Sequence, residues 1–200
     1  VLVVGLGNPG KRYEKTRHNV GFVVLDAIAK DNGLEDFREK FSGLFSKGTV
    51  YGKDAVLLKP MTFMNLSGDS AQPAMVFHKR AVGDVIVVHD ELDLPFGEVR
   101  VKVGGGHAGH NGLRSLIGRM GSPEFVRVRV GVGRPPASFA GDVADYVLSD
   151  FAPDERAALP GIIEEARRAV ERVVREGAVA AMGAVNAKAP PRNGKRDGGS

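Results

Sequence analysis

Four apolar residues, Val1 to Val4, open the chain and stop at Gly5, the pattern of a short strand buried on both faces. Val85 to His89 repeats it, and Ala55 to Lys59, closed by Pro60, reads as a further strand after one that ends near Tyr51. Glu98 to Val103 and Val126 to Val132 instead alternate apolar and polar residues, as strands with one polar face do. Between these runs the apolar period changes to that of a helix. Phe22, Leu25 and Ile28 follow Asn19, a candidate cap, and Gly33 supplies the stop. Ser67 to His78 reads as a helix with Ser67 as its cap and Pro73 in its first turn or at a kink. Asn111 to Met120 is a short helix, and Pro160 opens a long one with Ile163, Ala166, Val170, Val173 and Val174 as its stripe and Gly177 as its end. Strands interleaved with helices, with no internal repeat, predict an α/β fold: a single domain whose mixed, twisted sheet is flanked by helices. That domain spans residues 1–187. Residues 188–200, rich in Pro, Gly, Lys and Arg, are expected to be a disordered basic tail.

Composition narrows the function classes. At 200 residues the chain suits one core that needs no staple. Its cysteine count is 0, which excludes disulfides, thiolate metal sites and a cysteine nucleophile and fits a reducing compartment, so the cytoplasm is the expected location. No apolar run approaches the roughly 20 residues that span a bilayer, and no signal peptide or membrane anchor is expected. With no initiator methionine, at least one native residue is expected to precede Val1. The net charge of +4 is unevenly spread. Between Arg100 and Arg134 stand Arg100, Lys102, Arg114, Arg119, Arg127, Arg129 and Arg134 against Glu124 alone, and the tail adds Lys188, Arg192, Lys195 and Arg196 against Asp197. Clustered cations of this kind suit a phosphate-bearing partner or, equally, a solvated strand face.

Gly5-Leu6-Gly7-Asn8-Pro9-Gly10 matches the GxGxxG dinucleotide fingerprint, but the context is wrong for it. Pro9 and the polar stretch Lys11 to Arg17 delay the helix, and Asp26 falls inside that helix rather than after a second strand. Ligands of open sheets gather at the carboxyl ends of strands. If their strands run in one direction, four segments meet there: Gly7 to His18, Lys59 to Asn65, His89 to Asp93, and the glycine-rich Gly104 to Asn111. They bring an imidazole, several carboxylates and three amides to one edge. That set suits acid–base chemistry on a carbonyl, with a carboxylate-held histidine taking a proton from water and an Asn amide facing the developing oxyanion. Ser67 lacks the GxSxG setting, so the nucleophile is expected to be water. Plainer readings stand beside these: His18 packing beside a helix start, Asp90 bonding turn amides, and Met61, Phe63 and Met64 as core. His107 and His110, two imidazoles among glycines, make a poor metal site without a third ligand, and no metal is expected.

Five motifs in order carry a resemblance: Val3-Val4-Gly5-Leu6-Gly7-Asn8-Pro9-Gly10, Tyr13 with Thr16-Arg17-His18-Asn19, Lys59 to Gly68, His89-Asp90-Glu91-Leu92-Asp93-Leu94-Pro95, and Gly104 to Leu113. From Val1 to about Ala187 the sequence resembles the bacterial-type peptidyl-tRNA hydrolases. The resemblance implies hydrolysis of the ester between peptide and the 3′-terminal ribose of tRNA, without metal or organic cofactor. It implies His18 as the base that activates water and Asp90 as its orienting carboxylate, with Asn8, Asn65 and Asn111 placing peptide and water. Met64 and Tyr13 would line the channel for peptide and terminal adenosine. Lys102 and Arg129 would clamp the 5′ phosphate, in agreement with the clustered charge. The implied partner is peptidyl-tRNA, through its acceptor stem, 3′ end and peptide, and the implied protein is a monomer. A catalytically inactive RNA-binding protein on the same scaffold is the alternative. The sequence departs from the family pattern at Pro135-Pro136-Ala137-Ser138, where relatives often carry a lysine, and at Phe96, where many have a second proline and where only the loop is expected to change.

Overall fold

The computed structural model describes residues 1–187; the expected tail, 188–200, lies outside them. Seven strands form one sheet: β1 (Leu2–Gly5), β2 (Arg38–Lys40), β3 (Gly43–Val50), β4 (Lys53–Pro60), β5 (Val85–Glu91), β6 (Val99–Val103) and β7 (Val126–Gly131), in the order β2-β3-β4-β1-β5-β7-β6. The apolar runs β4, β1 and β5 lie side by side and parallel at its centre, and β7 continues the same direction. The alternating β6 runs against β7 at one edge, and β3 runs against β4 towards the other.

Six helices cover the sheet: α1 (Val20–Asp31), α2 (Ser67–Phe77), α3 (Asn111–Met120), α4 (Val143–Val147), α5 (Pro153–Glu176) and α6 (Ala178–Ala187). Strand alternation sends Val3, Ile86 and Val88 into a core shared with α1, α5 and α6. Leu2, Val4, Val85 and Val87 enter a second core, with α2 and α3. The central strands are apolar throughout because they serve both cores. α1 packs so closely on β1 that a Cβ at Gly21 would lie 2.5 Å from the main chain of Leu6 and Val88.

Several expectations change. α5 starts at Pro153, not Pro160: Pro153 occupies the first turn with Asp154 and Glu155, and Pro160 is carried inside the helix. The buried stripe accordingly uses Ile162, with Ile163 only partly covered. Pro73 likewise lies within α2, away from its first turn. Ser67 is that helix's first residue, and its hydroxyl donates to the carbonyl of Met64 at 2.7 Å instead of capping. Phe96 reaches beyond its loop to the core beneath α5, 6.0 Å from the ring of Phe151. The charged β2 and the helices α4 and α6 carry no periodic signal. α6 returns to the β6 edge, where the Asn186 side chain accepts from the Val101 N–H at 2.9 Å and donates to its carbonyl at 3.0 Å.

Candidate active site

Asp90 is the penultimate residue of β5, at the carboxyl end of the parallel strands. Its carboxylate is 2% exposed and meets two imidazoles. His18 stands on a 3₁₀ turn, Arg17–Asn19, just ahead of α1, and its Nδ1 lies 2.9 and 2.8 Å from the two carboxylate oxygens. His110 is the N-cap of α3. Its Nδ1 accepts from the N–H groups of Gly112 and Leu113 at 3.1 and 3.3 Å, and its Nε2 lies 2.9 Å from Asp90 Oδ1. The cap decides the tautomer: with Nδ1 accepting, the ring proton sits on Nε2 and is donated to Asp90. A cation at Nε2 would have to displace that proton and undo the cap, so the His18–Asp90–His110 cluster, close enough to suggest a metal, is matched to protons instead.

The two imidazoles hold Asp90 well below the usual carboxylate range against the opposing effect of burial. Burial also opposes charge on His18, but the Asp90 carboxylate, by charge and by hydrogen bond, outweighs it and raises the imidazole above its ordinary value of 6.5. With Nδ1–H committed to Asp90, the Nε2 of His18 is the lone pair left for a proton. A third imidazole, His89, donates from Nδ1 to the main-chain carbonyl of Asp90 at 2.7 Å. Fully buried, it is pushed down to about 3 by desolvation and then by His110, and it stays neutral.

His18 and Asp90 open on a cavity of about 840 Å³ also lined by Asn8, Tyr13, Met64, Asn65, His110 and Asn111. Seven of the nine residues named from the sequence therefore meet at one place. Asn8 follows β1 and is held by Asn19, whose Oδ1 accepts from the Asn8 N–H at 2.8 Å and whose Nδ2 donates to its carbonyl at 2.9 Å. The side chain of Asn19, expected to cap α1, makes no cap bond and does this instead. Met64 is 4% exposed and belongs to the second core as well as to the cavity wall. A Cβ at Gly112 would sit 2.5 Å from its sulfur and 2.9 Å from a methyl of Leu6, so a larger residue at the start of α3 would displace the cavity wall. Met61 and Phe63, by contrast, are exposed at 38% and 58%, not core. Val143, Ala144, Val147 and Leu148, in and just after α4, form another wall, one that no pattern in the sequence announces.

α4 is tied to the turn that carries His18 by Arg17. Its buried guanidinium lies 4.0 Å from the Tyr146 ring centre and donates to Ser149 Oγ at 2.6 Å, the Asp150 carbonyl at 2.8 Å and Glu155 at 2.7 Å.

The glycine-rich segment reaches the site by a route the sequence does not suggest. β6 is antiparallel, so its carboxyl end lies at the opposite edge, and the assumption of four parallel strands fails for this one. The loop turns back across the sheet, steadied by Arg127, which donates to the carbonyls of Gly105 and Gly106, and delivers His110 and Asn111.

Lys102 and Arg129 lie outside the cavity. Alternation places Arg100, Lys102, Arg127 and Arg129 on one face of the β6–β7 pair, opposite the valines that enter the core. Arg100 pairs with Glu98 and Arg127 holds the loop. Lys102, exposed, has no carboxylate partner among the described residues, and Arg129 donates from Nε to Glu91 at 3.0 Å.

The sequence matches the family model for peptidyl-tRNA hydrolase over residues 2–193. It is 58% identical over 199 residues to a peptidyl-tRNA hydrolase of Sorangium cellulosum, covering 100% of this chain and 88% of the relative. A second relative of that name, from Geotalea daltonii, is 52% identical, with 94% and 96% covered. The crystal structure of peptidyl-tRNA hydrolase from Acinetobacter baumannii superposes with a TM-score of 0.85 at 39% identity, covering 93% of this chain and 94% of that one.

Proposed function

Since the chain belongs to the peptidyl-tRNA hydrolase family and hydrolyses peptidyl-tRNA, freeing the tRNA, we propose that His18 is the general base of that reaction and Asp90 its orienting partner. Nε2 of His18 takes a proton from water as the oxygen attacks the ester carbonyl. The imidazolium so formed is stabilised by Asp90, which already accepts its Nδ1–H. The tetrahedral intermediate collapses, the ribose oxygen leaves, and the proton on Nε2 passes to it. Base and acid are thus one group used twice. Asn8 donates to the oxyanion from its amide, while Asn65 and Asn111 place the peptide and the water. Tyr13 and Met64 line the channel for terminal adenosine and peptide.

Lys102 and Arg129 clamp the 5′ phosphate. They are diagonal neighbours on one strand pair, a spacing of roughly 7–8 Å that two oxygens of one phosphate group can bridge. Residues 1–187 act as one catalytic unit in the cytoplasm, and as a monomer. Among the described residues no helix is long and apolar enough to cross a membrane. The inactive RNA-binding alternative finds no support, because a pure binder has no use for a carboxylate aligned on a base that opens on a cavity.

The His18–Asp90 contact carries this reading. Its test is release of the blocked amino acid from an N-blocked aminoacyl-tRNA by wild type and His18→Ala. A fall in kcat of about 10²–10⁴ with tRNA binding retained is expected; unchanged turnover would remove the base.

A further inference from the structure

The geometry points to Glu91 as the residue that positions Arg129 for a phosphate, and so as a determinant of selectivity for tRNA with a 5′-terminal phosphate. The inference rests on the assignment of Lys102 and Arg129 as the clamp. Glu91 follows Asp90 on β5, and the pleat turns its side chain to the face that carries Arg129. Both side chains are largely buried, at 12% and 19% exposure. Glu91 also lines the cavity, so it is the residue that joins the reacting edge to the cationic face.

The contact uses only one corner of the guanidinium. Nε donates to Glu91 Oε2 at 3.0 Å, while the two terminal nitrogens have no hydrogen-bond partner among the described residues. An arginine gripped through Nε cannot rotate freely, and its remaining edge presents the parallel N–H pair that matches two oxygens of a phosphate. Without that grip the long side chain would have to be ordered at the moment of binding, at a cost in rotamer entropy. The charge of Glu91 has a second effect. It cancels that of Arg129 over distance, so internal phosphodiesters gain little at this point, while a terminal monoester, carrying roughly −1.5 to −2, still gains from the directed bonds. Recognition here is by geometry more than by net charge.

The experiment compares kcat/KM for one N-blocked aminoacyl-tRNA with its 5′ phosphate intact and after phosphatase treatment, using wild type, Glu91→Gln and Glu91→Leu, with thermal unfolding of each as a check on the fold. Wild type is expected to prefer the phosphorylated substrate by about tenfold or more, the scale of a charge-assisted hydrogen bond. Glu91→Gln keeps an acceptor for Nε and should retain most of the preference. Glu91→Leu has none, and its ratio should approach one; Glu91→Met provides the same comparison should that variant not fold. A Glu91→Leu protein that keeps the wild-type ratio overturns the proposal, as does an increased preference in both variants, which would make Glu91 only a repulsive charge. Should Lys102→Ala with Arg129→Ala also preserve the ratio, the clamp itself is misassigned. If those changes abolish the ratio while Glu91→Leu does not, the clamp stands and only the role of Glu91 falls.

Discussion

The main-chain N–H of Met64 donates to Oδ1 of Asn8 at 2.7 Å. That bond settles the rotation of the amide: its oxygen is occupied within the protein, and its Nδ2, with no partner among the described residues, is left for the cavity. A fixed donor of this kind needs no reorganisation when negative charge develops, which is why such groups act more strongly than donors in water.

Asn8→Asp presents an acceptor and a charge where the donor stood, while Asn8→Ala removes the group. Both should lower kcat by about 10²–10³ with a smaller change in KM, measured on N-blocked aminoacyl-tRNA. A change confined to KM would make Asn8 a substrate-binding group rather than an oxyanion donor.

The pH profile should carry the signature of Asp90. Only neutral His18 can accept a proton, and its charged form is favoured by the carboxylate, so kcat/KM should fall on the acid side with a midpoint above 6.5. In Asp90→Asn, burial acts without that opposition and the midpoint should move below 6.5 as the rate drops. An unmoved midpoint would mean that another group titrates. The same shift adds stability below pH 6.5, and that contribution disappears as pH rises through the raised value.

His89 gives the opposite dependence. Its folded-state value of about 3 lies below the ordinary 6.5, so the unfolded chain binds the extra proton and stability declines as pH falls from 6.5 towards 3. Relative to His89→Leu, wild type should lose about 2 kcal/mol between pH 6.5 and pH 5, at up to about 1.4 kcal/mol per unit. Urea unfolding at the two pH values measures it, and parallel curves for the two proteins would show that His89 is protonated in the fold.

For the clamp, Lys102→Ala combined with Arg129→Ala should weaken tRNA binding and flatten its salt dependence by roughly 0.7 to 0.9 of a log unit for each phosphate no longer neutralised. Filter binding over a salt series distinguishes this from a loss of fold, which would not change the slope in that way.

The central sheet is legible in the sequence because strands such as β1 and β5 are apolar throughout, and the proposed base and its carboxylate, His18 and Asp90, are legible because one follows and the other ends such a strand. What stays hidden depends on contacts between distant segments. Nothing near His110 in sequence announces that its ring caps α3 and reaches Asp90; the glycines around it point only to sharp turns or close approach. Local position favours Asn19 as a cap, while its observed partner is Asn8 across the turn. The direction of β6 depends on its pairing with β7, about which alternation alone says nothing. Pro160 suggests a helix start, although Pro153 followed by two acids carries the stronger signal of one.

The side-chain amide of Asn186 satisfies both outward-facing main-chain groups of Val101, and the opposite border of the sheet is the short, wholly charged Arg38-Glu39-Lys40. Among the described residues, neither border therefore offers an extended run of vacant, apolar backbone on which a second chain could template itself. In a protein whose interior strands are this rich in valine and leucine, those two safeguards oppose fibril growth by edge addition.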